Sequence, residues 1–166
     1  MIFFLDIDGV MVHANPHKKV ELEADGFYKF NPVAVAILNA VIYKTKDEII
    51  LSSSHRYKYN EYQWKKIFTR RGIVLNHISI LDKDKSSFNY RNSRRIEITE
   101  WIQTNNINCD NIVIIDDDKS LNDLPQHLKD RLILTNSYTG LNYINNFENL
   151  RSILKRKLKK NPFIKA

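Results

Sequence analysis

Asp6 and Asp8 stand two residues apart after a short apolar run, and Gly9 follows at once (Asp6-Ile7-Asp8-Gly9-Val10). On an extended chain, residues i and i+2 project to the same side. The two carboxylates therefore repel unless a cation or a shared proton stabilises them. A hard cation such as Mg²⁺ takes carboxylate oxygens and fits the pair. Gly9 lets the chain turn sharply and lets a ligand approach the backbone. A strand end with solvated aspartates is the alternative reading.

Three further clusters carry chemistry. Asp116-Asp117-Asp118 closes the run Ile112-Val113-Ile114-Ile115. Three adjacent acids at a buried strand terminus are costly without a cation, although aspartate also caps helices. Ser53-Ser54-His55-Arg56 offers hydroxyls, backbone amides and a guanidinium, which suit phosphate oxygens, or forms an ordinary serine-rich turn. Arg94-Arg95 opens a helical pattern, where the macrodipole disfavours a cation. Either Arg94 or Arg95 can lie on the stripe of Ile98, and spacing does not choose between them. Nor does it choose between Ser52 and Ser53. A surface arginine pair is the bland alternative.

The elements that must position these clusters alternate strand and helix. Ile2–Asp6, Glu48–Ser52, Ile73–Leu75, Asn111–Asp116 and Arg131–Thr135 read as strands, being short, apolar and rich in β-branched residues. Asn31-Pro32 is an N-cap with proline in the first turn, opening a helix to about Tyr43. A helix from about Asn60 to Arg70 carries Tyr62, Ile67 and Phe68, and Gly72 stops it. Further helices are expected from about Ser93 to Thr104, briefly within Leu121–Asp130, and from Phe147 to about Leu158. Val10–Phe30 reads as a loop or irregular hairpin, and Asp82–Ser93 as a polar connection. Continuous apolar strands separated by helices imply a parallel sheet covered on both faces. The expectation is a doubly wound, Rossmann-like three-layer α/β sandwich filling a single domain over residues 1–166. Ligands in such sheets bind at the carboxyl ends of strands, near a topological switch point, and three of the four clusters lie at strand ends.

Taken in order, the strand with Asp-x-Asp-Gly-Val, the strand with a serine-rich turn, the basic residue at a helix start and the strand with Asp-Asp-Asp resemble the haloacid dehalogenase (HAD) superfamily of phosphohydrolases. The stretch Ser53-Ser54-His55-Arg56, the Arg-x-x-Glu-Ile of Arg94 to Ile98, and Thr139-Gly140-Leu141 are similar to a capless subgroup, the HAD domain of Swiss Army Knife RNA repair proteins. The usual Trp before the arginine of the second motif is His55 here, and Arg94 stands where lysine is commoner.

The resemblance implies a phosphatase with Asp6 as nucleophile, through an aspartyl-phosphate, and Asp8 as general acid and base. It implies Mg²⁺ held by Asp6, the backbone carbonyl of Asp8, and the Asp116-Asp117 pair. It assigns phosphoryl binding to Ser53 and Arg94, with Ser54 and Arg56 as additional contacts. Neither inter-motif segment has room for a cap domain of about 50 residues. An open site admits a phosphate on a macromolecule, a nucleic-acid end or a phosphoprotein. The alternatives are a small-molecule nucleotidase or a non-catalytic phosphate-binding module.

Composition bounds the rest. The 166 residues carry a net charge of +7, and Cys109 is the single cysteine. No intrachain disulfide can form, which suits a reducing compartment. The apolar start is interrupted by Asp6 and Asp8, with no basic region before it. No signal peptide is read, and a cytoplasmic location is expected, with specialised secretion left open. No run reaches the ~20 apolar residues of a membrane span. The basic excess concentrates in the helix and tail of about 147–166. Further basic residues (His13, His17, Lys18, Lys19; Lys83, Lys85, Arg91), some beside Phe88 and Tyr90, flank the clusters. This permits a polyanionic partner without requiring one.

Overall fold

A computed structural model describes residues 1–82 and 93–155. Five parallel strands form one sheet in the order β3-β2-β1-β4-β5, with β1 at Ile2–Leu5, β2 at Glu48–Leu51, β3 at His77–Ile80, β4 at Ile112–Asp116 and β5 at Leu132–Leu134. Alternation along the strands sorts side chains between two cores. Phe3, Leu5, Ile49, Leu51, Val113 and Ile115 face one side, whereas Phe4, Ile50, Ile112 and Ile114 face the other.

Helices α1 (Pro32–Val41), α2 (Glu61–Arg70) and α5 (Glu148–Leu154) bring Ile37, Leu38, Trp64, Ile67, Phe68, Leu150 and Leu154 to the first core. Helices α3 (Arg94–Thr104) and α4 (Gln126–Lys129) bring Ile98, Ile102 and Leu128 to the second. This is the expected doubly wound three-layer arrangement. The ten residues from 83 to 92 lie outside the described residues and are far fewer than a domain of about 50 requires. Among the described residues the fold has no cap domain.

Local chemistry explains the helix ends. Asn31 Oδ1 accepts the Val33 amide at 2.9 Å, with Pro32 in the first turn. Asn60 and Gln63 form a reciprocal capping box at the start of α2. At its other end Gly72 has φ +79° and the Ile73 amide bonds the Phe68 carbonyl, a Schellman closure.

That closure corrects one expected strand. Ile73–Leu75 serves the end of α2, and the pairing with β2 is made by His77–Ile80, with Ile49 opposite Ile78 and Leu51 opposite Ile80. Two helix ends also move, and so does one helix face. Helix α1 ends at Val41, where the Ile42 amide caps onto the Leu38 carbonyl. Helix α5 ends at Leu154 rather than near Leu158, with Lys155 left-handed at φ 48°. The inward stripe of α2 is Trp64, Ile67 and Phe68, and Tyr62 faces outward. Phe88, Tyr90, Lys83, Lys85 and Arg91 lie outside the described residues, as does the tail beyond Lys155.

Residues 10–30 form a lobe packed on the first core through Val10, Met11, Val12, Phe27 and Phe30, with one antiparallel bridge, Leu22 to Tyr28. Arg71, at the end of α2, holds it down. Its guanidinium bonds both oxygens of Asp25 at 2.8 and 2.9 Å. It also donates to the carbonyls of Tyr28 and Ile67 and lies over the rings of Phe27 and Phe30. Among the described residues no helix is long and apolar enough to cross a membrane.

Candidate active site

β1 and β4 are neighbours, with Leu5 opposite Ile115, so Asp6 and Asp116 leave the sheet side by side. Helical connections depart to opposite faces there, which makes it the switch point of the sheet. One oxygen from each of Asp6, Asp116 and Asp117 lies within 4.8 Å of the others. Asp6 is 6% exposed and Asp116 fully buried. Burial raises the Asp6 pKa; the Arg94 charge and the Ile7 amide, 2.8 Å from Oδ1, oppose it. Burial, then the Asp6 charge, raises that of Asp116. For Asp117 the same two causes push the carboxyl up to about 6. Three crowded carboxylates disfavouring their own charge suit a proton or a hard cation.

The first loop is tightly built. Gly9 has φ +68°, and a side chain there would run into the Asp117 carboxylate. Thr135 Oγ1 donates to the Gly9 carbonyl at 2.7 Å. Gly140, at φ +64°, brings its Cα side against the Val10 carbonyl, and the Leu141 amide bonds that same oxygen at 2.9 Å. The loop after β5 thereby buttresses the loop after β1. The Asp116 carboxylate accepts the Asp118 amide at 3.0 Å. Asp118 turns away and caps a short 3-10 turn through the Ser120 amide.

Arg94 is the basic residue brought to the cluster. Its Nη1 lies 3.2 Å from Asp116 Oδ2 and 4.0 Å from Asp6 Oδ1. Arg95 points elsewhere, its Nη1 reaching the Asp123 carbonyl at 3.3 Å. Position along α3, not residue type, separates them. Ser52 and Ser53 are both fully buried. Ser52 Oγ is 3.5 Å from Asp116 Oδ2, while Ser53 bonds the Asp6 side chain and its Oγ accepts the His55 amide at 3.2 Å. Ser54 is exposed at the rim.

Arg56 is not placed as a phosphate contact. It is 4% exposed, and its guanidinium donates to the carbonyls of Ser52 and Ser53, both at 3.1 Å, and to Glu97 Oε1 at 3.0 Å. It holds the serine loop in shape from behind. Asp8 stands apart from the three-carboxylate group, its side chain 35% exposed and Oδ2 at 2.7 Å from His55 Nε2. The His55 ring packs edge-to-face on Phe27 and Tyr28.

Three contributors escaped sequence reasoning. Glu97 joins Arg56 to Arg94, whose Nε is 4.0 Å from its Oε2. The spacing Arg94-x-x-Glu97 was visible, but its second partner lies 41 residues away. Thr135 carried no local signal. His55 was visible as a departure from the usual Trp, without its contact to Asp8.

A family model described as the HAD domain in Swiss Army Knife RNA repair proteins matches residues 2–144. No curated protein matches the chain, and no solved structure does.

Proposed function

The chain belongs to the family of HAD domains in Swiss Army Knife RNA repair proteins, and from that premise we propose that it is a Mg²⁺-dependent phosphomonoester hydrolase acting on a nucleic-acid end. One observation carries the reading. The carboxylates of Asp6, Asp116 and Asp117 converge within 4.8 Å of one another, with the Arg94 guanidinium against two of them. That donor set is all oxygen and all anionic, which fits a hard divalent cation.

Mg²⁺ held by Asp6, Asp116 and Asp117, with the Asp8 carbonyl, would offset the charge of carboxylates and phosphate that otherwise repel. The rest is done by the chain. The Asp6 oxygen forms a bond to phosphorus while the P–O bond to the leaving alcohol breaks in line. Asp8, the more exposed carboxyl, delivers its proton to the departing oxygen. Its carboxylate then takes a proton from water. The resulting hydroxide oxygen bonds to phosphorus and releases Asp6 and inorganic phosphate, leaving Asp8 protonated for the next turnover. Arg94 and the hydroxyl and amides of the Ser53 loop hold the equatorial oxygens, whose charge grows in the transition state.

The absence of a cap domain leaves room for a phosphate on a polymer, and the RNA repair setting of the family favours a nucleic-acid end over a phosphoprotein. The test is hydrolysis of an aryl phosphate with and without Mg²⁺, for wild type and Asp6→Asn. A phosphorylated oligonucleotide and a phosphotyrosine peptide run beside it. Mg²⁺-dependent turnover lost in Asp6→Asn is expected, with the oligonucleotide the better polymer. Turnover that survives Asp6→Asn, or none on any substrate, overturns the reading.

A further inference from the structure

We propose that the outer face of α2 is a track for a single strand of nucleic acid leading to the site. The track is formed by Tyr62 and Lys66 of α2, with Lys58 and Tyr57 in the turn that precedes the helix. The substrate role of the strand rests on the phosphatase reading; the binding itself does not.

Trp64, Ile67 and Phe68 define the buried stripe of α2. At 100° per residue, Tyr62 and Lys66 lie almost opposite it, and Arg70 follows on the same i, i+4 line. Tyr62 is 66% exposed. Lys66 Nζ sits 4.4 Å from the Tyr62 ring centre. Lys58, Lys66 and Arg70 are exposed, and Glu61, in the first turn, is the one acidic side chain on the helix.

The face joins the site through covalent neighbours. The loop holding Ser53 runs directly into the 3-10 turn Arg56–Lys58. Tyr57 is half exposed, with the Arg56 guanidinium 4.7 Å from its ring. Its hydroxyl reaches the Leu81 carbonyl at 3.5 Å, so the ring stands at the carboxyl edge of the sheet, beyond β2 and β3.

The chemistry selects the occupant. Exposed rings offer stacking that every base accepts, and interleaved cations track the backbone charge. Positions four apart on a helix are about 6 Å apart along its axis, on the order of one nucleotide of an extended strand. A phosphopeptide brings one phosphate and has no series of flat rings for Tyr57 and Tyr62.

The probe is a single-stranded oligoribonucleotide with hydroxyls at both ends and an internal fluorophore, read by anisotropy across a salt series. Lacking a terminal phosphate, it gives the site nothing to hydrolyse. Lys58→Glu/Tyr62→Ala/Lys66→Glu is expected to weaken binding about tenfold or more, with a flatter dependence of log K on log salt. Its aryl phosphate turnover should stay at the wild-type rate, since all three side chains are exposed and outside the catalytic cluster. Tyr62→Phe should bind as wild type. Undiminished binding by the triple variant, no binding by wild type, or an equal loss for a phosphotyrosine peptide would overturn the track. Failure of the phosphatase reading shows separately, as absent or Asp6-independent turnover.

Discussion

Arg94 places a permanent positive charge 3.2 Å from one acid of the cluster and 4.0 Å from another. In the proposed reaction its partner would become the phosphoryl group, whose charge it would meet as that charge develops. Loss of such a donor typically costs 10²–10³ in rate, about 3–4 kcal/mol. Arg94→Met should therefore lower kcat/KM on aryl phosphate by about that factor. Arg94→Lys should recover part of it, because charge remains while the planar fork is lost. Arg95→Met, which removes a bond to a carbonyl on an exposed surface, should change kcat/KM less than twofold. Equal losses at the two positions would contradict the assignment. Asp8 can be tested through the leaving group. A general acid matters most when the departing oxygen is basic, so Asp8→Asn should slow alkyl phosphates far more than a nitrophenyl phosphate. A uniform slowing across leaving groups would remove Asp8 from the proton-transfer role.

The loops and helices that aim these residues were partly legible. Apolar β-branched runs, the Asn31-Pro32 cap and the Gly72 stop are local signals, and they placed β1, β2, β4, β5, α1 and α2. The third strand was misplaced because Ile73–Leu75 has a strand-like composition while its backbone closes the end of α2. Sequence could mark Asp6, Asp116 and Arg94 because their types recur in a recognisable order. It could not show that Arg56 would turn inward to two carbonyls and Glu97, since that choice is made by tertiary contacts. The close packing of the first loop gives an element-scale prediction. In Gly9→Ala the new methyl group meets the Asp117 carboxylate at a positive φ, so the loop or Asp117 must move. Mg²⁺ affinity, read by calorimetry, should fall at least about tenfold, on the scale of disturbed supporting contacts at metal sites. Affinity unchanged from wild type would mean that Asp117 is not a ligand. The lobe at residues 10–30 depends likewise on Arg71. Its side chain is 2% exposed and that of Asp25 8%, and Arg71 holds the Asp25 carboxyl well below the usual carboxylate range. Arg71→Met should cost on the order of 1–3 kcal/mol, solvent near Asp25 trimming the upper end. The loss should show in the denaturation midpoint at neutral pH and shrink as pH falls and Asp25 takes a proton. A loss of stability independent of pH would assign Arg71 to packing alone.

At the scale of the whole molecule, the carboxylate cluster couples the site to global stability. Asp6 and Asp116 are raised from the ordinary carboxylate value of 3.8, and Asp117 is raised to about 6. These three carboxyls therefore hold more protons in the folded chain than in the unfolded chain while pH lies between that ordinary value and their raised ones. With more protons on the native state, stability falls as pH rises through the interval from about 4 to about 6 and above. A divalent cation held there would replace those protons and bind the folded state alone, stabilising it by RT ln(1 + [L]/Kd), about 2.7 kcal/mol at a hundredfold excess over Kd. Without divalent ions, Tm should therefore drop between about pH 5 and about pH 8, and Mg²⁺ should restore it at the higher pH. Asp116→Asn removes one buried charge while keeping the shape of the side chain. In that variant the metal-free drop should be smaller and the gain from Mg²⁺ largely lost. The fold and its layers were legible from strand patterning, but this linkage was not. It depends on β1 and β4 being neighbours, which places acids 110 positions apart in one field. A Tm without Mg²⁺ that holds steady from about pH 5 to about pH 8 would show that the three carboxylates keep their charges without a cation, and would remove the electrostatic case for a metal at this edge of the sheet.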